Sequence, residues 1–129
     1  MTEKQKKIKL AKRWIAALRS SKYKQGYGYL VSGNKYCCLG VLCDVAKKEF
    51  GIIKNISDFT FPKEGNWVGT LPISLTEYLY LDGGVDGRDF KTILMGMNDG
   101  KDGKDRKRFS TIANYLEENL LPILESLEN

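Results

Sequence analysis

Arg19, Lys22, Tyr23, Lys24, Gln25, Tyr27 and Tyr29 fall within eleven residues, with Gly26 and Gly28 between them. Aromatic faces stack on bases, a Gln amide offers a donor and an acceptor to a base or ribose edge, and Arg or Lys neutralises phosphate. Two glycines let backbone amides approach a ligand closely. Immediately downstream, Cys37-Cys38-Leu39-Gly40-Val41-Leu42-Cys43 is an apolar run that must be buried. A basic, aromatic loop held against a rigid anchor is one way to build a small binding site. The same residues also suit a Tyr-rich hairpin that packs on a sheet with its lysines in water.

Most catalytic chemistry is excluded by composition. The chain has no histidine, so imidazole triads, His-ligated zinc and His-based proton transfer are absent. Its three cysteines match no trusted zinc spacing, and neighbours in sequence do not bridge without strain. Cys38 stands near an expected helix start, which lowers a thiol's pKa, but its apolar neighbours push the other way. Buried thiols acting as small hydrophobes are the reading adopted. Asp99, Asp102 and Asp105 resemble a calcium loop only superficially: the alternation fails, the twelfth position is Phe109 or Ser110, and bases crowd the same loop. No phosphate-loop or dinucleotide-binding glycine pattern occurs. No catalytic residue, metal ligand or cofactor is therefore expected.

The elements that must position the loop follow from periodicity. Ile8, Ala11, Trp14, Ile15 and Leu18 predict an amphipathic helix over about residues 3–20. Strand composition at 27–32, a Gly33-Asn34 turn and Lys35-Tyr36-Cys37 predict a short hairpin. A second helix, apolar in its first half, is expected from Cys38 to Phe50. Residues 51–73 read as irregular or strand-like, with Phe59, Phe61 and Trp67 as packing groups. Ser74-Leu75-Thr76-Glu77 reads as a capping box opening a helix to about Leu81. A short helix over Asp89–Met97 precedes an exposed polar loop over Asn98–Arg108. A last helix begins near Ser110, with Ile112, Tyr115, Leu116, Leu120 and Ile123 inward, and Pro122 is expected to kink it or divide it in two. These elements make a single α+β domain over residues 1–129, mostly helical with a short β-hairpin or small sheet.

Charge is unevenly spread along the 129 residues, whose net charge is +5. Residues 4–24 hold nine Lys or Arg, whereas residues 109–129 hold four Glu and no base. A second basic cluster is Lys101, Lys104, Arg106, Lys107 and Arg108. Two cationic patches favour an anionic partner, against the plainer alternative of solvated faces. No apolar run approaches the ~20 residues of a membrane span, and no signal-peptide pattern follows the basic start. A cytosolic protein is expected, with no membrane partner.

The stretch W-x-x-A-L-R-S-x-x-Y-x-Q from Trp14 to Gln25, then Y-C-C-L-G-V-L-C-D from Tyr36 to Asp44, resembles a family of small bacteriophage and prophage proteins. A second echo is Met97-Asn98-Asp99 followed by Phe109-Ser110-Thr111-Ile112-Ala113-Asn114-Tyr115-Leu116. The resemblance implies work inside a bacterial host cell. Phages carry small proteins that sequester their hosts' nucleotide immune signals, so the expected function is a non-catalytic sponge for a small anionic ligand, most plausibly a nucleotide. The expected ligand-binding residues are Arg19, Tyr23, Lys24, Gln25 and Tyr27, with Asn98 and Asp99 closing the pocket from the second segment. The alternative is an inhibitor that binds an acidic host protein or nucleic acid through its basic N-terminal helix. Self-association is left open.

Overall fold

The first helix, α1 (Glu3–Arg19), starts where its sequence provides a reciprocal cap. Thr2 Oγ1 accepts from the Gln5 amide at 3.1 Å, and Gln5 Oε1 accepts from the Thr2 amide at 2.9 Å. Leu10, Ala11, Trp14, Ile15 and Leu18 form its buried stripe, while Ile8 is only half-buried. Trp14 carries that stripe into the centre: its indole N–H donates to the Cys38 carbonyl at 2.9 Å. A buried indole needs such a partner, and this one fixes α1 against the next helix.

In this computed structural model, residues 1–50, 66–67, 71, 73–85, 88–101 and 103–128 are described. Four two-residue strands form one sheet in the order β1 (Lys24–Gln25), β3 (Lys35–Tyr36), β2 (Val31–Ser32), β4 (Asn66–Trp67). β2 and β3 are the expected hairpin, antiparallel about a Gly33-Asn34 turn in which Gly33 takes φ +61°. β1 joins β3 in parallel, and Trp67 pairs with Val31. Phe59 and Phe61 lie outside the described residues.

Helix α2 (Cys38–Val45) has all eight residues buried and continues into a π-helical turn, Ala46–Phe50. Its Asp44, only 4% exposed, accepts from Tyr23 Oη at 2.5 Å and pairs with Lys48 at 3.2 Å. Close approach explains Gly40. A Cβ there would lie 2.0 Å from the Leu30 carbonyl oxygen, and that carbonyl also accepts from the Cys37 amide at 3.1 Å.

Helix α3 (Ile73–Tyr78) begins before Ser74, so Ser74 lies within the first turn and is not the expected cap; the chain leaves the helix at Leu79. β5 (Gly84–Val85) and β6 (Arg88–Asp89) make a second small hairpin. Asp89 then caps α4 (Phe90–Asp99), its carboxylate accepting from the Thr92 amide at 2.7 Å. Helix α5 (Phe109–Asn119) is followed by α6 (Leu121–Glu125), with Pro122 in the first turn as its ring geometry favours. α1 packs along both α5 and α6 and against α2, while α4 packs against α2 and α5. The result is a mostly helical α+β domain with a small mixed sheet. No helix among the described residues is long and apolar enough to cross a membrane.

Candidate functional site

The loop after β1 is tied down by one side chain, Asn98. It sits in the last turn of α4 and is fully buried. Its Oδ1 accepts from the Cys38 amide at 3.1 Å and from Gln25 Nε2 at 3.0 Å. Its Nδ2 donates to the Gly26 carbonyl at 2.9 Å and to Asp99 Oδ1 at 2.9 Å. All four hydrogen-bonding positions of the amide are used. Asp99 Oδ1 accepts in addition from the Gly28 amide at 3.1 Å. The Met97-Asn98-Asp99 segment thus fastens the 24–28 loop to the start of α2. The exposed loop expected from Asn98 begins instead at Gly100, because the amide finds its partners inside.

The start of α2 is closed to an outside anion by the same contacts. Asn98 occupies the Cys38 amide, and Cys37 Sγ accepts from the Gly40 amide at 3.4 Å. With the Cys37 amide on the Leu30 carbonyl, three of the four amides that lack an intrahelical partner at that helix end are satisfied from within the protein.

The expected ligand-binding residues divide accordingly. Gln25, Tyr27, Asn98 and Asp99 meet around the loop; Arg19 and Tyr23 point their functional groups at other helices. The Arg19 guanidinium lies 3.1 Å from Glu117 Oε2 and 2.7 Å from Asn114 Oδ1 on α5, and it holds the Glu117 carboxyl below its ordinary range. Tyr23 is spent on Asp44 and on an edge-to-face contact with Tyr36, ring centroids 5.0 Å apart. Lys24 is exposed. Tyr27 is exposed too, with the Arg106 guanidinium 4.0 Å from its ring centroid. The single pocket of Arg19, Tyr23 and Gln25 is not assembled.

A different depression is. Residues 100–101 and 103–107 fold back over the end of α4: Lys101 and Lys104 exchange two backbone hydrogen bonds of 2.9 Å, and the Lys107 amide donates to Met97 O at 2.7 Å. Gly100, at φ +70°, permits the reversal; a Cβ there would lie 2.0 Å from the Lys104 carbonyl oxygen. Gln25 Nε2 also donates to the Lys107 carbonyl at 2.8 Å, so the braced loop supports this wall. Between the folded segment, β6 and α4 lies a groove of about 470 Å³. Among the described residues, Arg88, Lys101 and Lys107 line it with one carboxylate, Asp105; Thr92, Ile93, Gly96 and Met97 supply the α4 side. The four charged residues are exposed, whereas Ile93 and Met97 are half-buried. Three cations beside an apolar strip suit an anionic ligand that also carries an apolar or aromatic face. The basic cluster at 101–108 signalled one wall in the sequence. Arg88 carried no such signal, because only the β5–β6 hairpin brings it opposite.

The cysteines do not offer a reactive thiolate. Cys38 and Cys43 have no exposed surface and Cys37 is 8% exposed. Burial raises the pKa of Cys37 and raises those of Cys38 and Cys43 well above the usual thiol range. Cys38 Sγ donates to the Leu94 carbonyl at 3.6 Å. Among the described residues, no three potential metal-ligating side chains gather. Ellman's reagent is expected to modify the native thiols at least about tenfold more slowly than the denatured ones. A folded protein whose Cys38 reacts as fast as free thiol would refute this placement. The folded pKa values lie above the unfolded ones, so the thiols' contribution to stability is complete below the ordinary thiol range and is lost as pH rises through and beyond it.

No curated protein and no solved structure matches the chain. The α1-to-α5 scaffold that carries both the Asn98 brace and the groove falls almost wholly within residues 4–120, which match the family model described as domain of unknown function DUF8296, and the chain belongs to that family.

Proposed function

We propose that this protein is a non-catalytic binder of a nucleotide-like small anion, held in the groove between Arg88, Lys101 and Lys107. The observation that carries the reading is the composition of that groove, three exposed cations against one carboxylate among the described residues, beside Ile93 and Met97. Phosphate would be met by the guanidinium and ammonium groups, and a base or ribose would lie on the apolar strip. Arg19, Tyr23 and Asn98, expected as direct ligands, become framework residues in this reading. Gln25 and Asp99 act through the loop they brace, and Tyr27 holds the Arg106 guanidinium over its ring. With no thiolate or imidazole at hand, the ligand is retained and not transformed. The resemblance to bacteriophage proteins supports a role in the bacterial cytosol, sequestering a nucleotide immune signal of the host.

A thermal-shift panel of cyclic dinucleotides, ADP-ribose and ATP at low salt tests this. At a hundredfold excess over Kd, a true ligand stabilises the fold by about 2.7 kcal/mol. Lys101→Ala and Lys107→Ala should each weaken binding by roughly ten- to a hundredfold, the ~1.5–3 kcal/mol of one hydrogen bond to a charged group. The ligand released by heating should return chemically intact. A cleaved product would favour an enzyme, and absence of binding across the panel would contradict the proposal.

A further inference from the structure

A second surface has a charge arrangement that complements itself. α1 carries exposed Lys6, Lys9, Lys12, Arg13 and Arg19 and one acid, Glu3. Alongside it, α5 and α6 expose Glu117, Glu118 and Glu125, and residues 109–129 contain no base. The two stripes meet in a crevice of about 430 Å³. Lys12, Ile15, Ala16, Arg19 and Ser20 form one bank, and Glu117 and Leu121 form the other. Arg19 stitches the banks together through Glu117 and Asn114. Glu118 lies one helical turn beyond Asn114, on the same side of α5, and Glu125 one turn beyond Leu121. Small side chains at Ala16 and Ser20 keep the middle of the face low, and Ile123 is an exposed apolar residue on α6.

We infer that this face docks a second copy of the chain. A two-fold axis running along the crevice sets each basic bank against the partner's acidic bank. An axis across the crevice would set like charge on like, so the charge pattern selects one symmetry. The 17 residues of α1 span ~26 Å at ~1.5 Å per residue. Two helices at ~8–10 Å spacing make a face of the order of 500 Å² on each copy. That is at the low end for specific interfaces, so the dimer is weak, reversible and sensitive to salt.

Sedimentation velocity over a wide concentration range decides it. At about 50 mM salt the protein should pass from monomer to dimer with rising concentration, and at about 500 mM it should revert to monomer. Lys12→Glu or Glu118→Lys alone should weaken association at least tenfold, and the two together in one chain should restore it, since the charges are then exchanged between the facing banks. Both side chains are exposed, and unchanged circular dichroism confirms that the variants fold. A chain monomeric in low salt at every concentration overturns the proposal, as does a double reversal that fails to rescue. A monomer captured by polyglutamate through α1 also overturns it, in favour of a foreign acidic partner.

Discussion

Asn98→Ala is expected to remove about 2–6 kcal/mol of stability, a large share of the roughly 5–15 kcal/mol that a small domain has. The side chain is fully buried and makes four hydrogen bonds. Truncation strands the amide of buried Cys38 and the carbonyl of buried Gly26, each costing about 1–3 kcal/mol when left unpaired. Asn98→Asp separates hydrogen bonding from shape. It keeps the acceptor for the Cys38 amide but turns a carboxylate oxygen toward the Gly26 carbonyl and the Asp99 carboxylate, so it should destabilise comparably. Urea unfolding gives both values. An Asn98→Ala protein within about 0.5 kcal/mol of the wild type, the range of an ordinary surface change, would remove Asn98 from the centre of the fold.

Gly40→Ala should be equally severe, for a steric reason. Helix propensity alone predicts a gain of nearly 1 kcal/mol, because α2 would exchange a glycine for its best former. The geometry predicts the opposite sign. The new methyl would lie 2.0 Å from Leu30 O and 2.9 Å from Leu30 C, both backbone atoms. Relief requires the strand approach to move away from α2, which breaks the Cys37 amide's bond to the same carbonyl. Overpacking that forces backbone shifts costs about 1–3 kcal/mol, and more where hydrogen bonds are lost as well. A protein that fails to fold, or a thermal midpoint lowered by many degrees, is the expected result; a raised midpoint would show that the two segments are not in contact.

Much of the frame was legible in the sequence. The apolar stripe of α1, the buried run of α2 and the division of the last helix at Pro122 follow from local periodicity and proline geometry, which need no knowledge of partners. The site was harder because its residue types are ambiguous. Tyr23, Gln25 and Asn98 have the groups that hold a nucleotide, and the fold spends them on Asp44, the Lys107 carbonyl and the start of α2. Gln25 and Asn98 are 73 positions apart, so neither announces the other. Strands of two residues present too little alternation to set a register, and the parallel pairing of β1 with β3 depends on that distant brace. Arg88 could not be anticipated for the same reason: its place in the groove with Lys101 and Lys107 is a property of the packed hairpin.

The most direct test of the central claim is a ¹H–¹⁵N correlation titration with whichever nucleotide stabilises the protein most. The account predicts saturable shifts in the amides of Arg88, Thr92, Gly96, Gly100, Lys101 and Lys107, with the amides of Arg19 and Tyr23 unmoved. Shifts centred on Arg19, Tyr23 and their α5 neighbours, with those six amides unmoved, would contradict it.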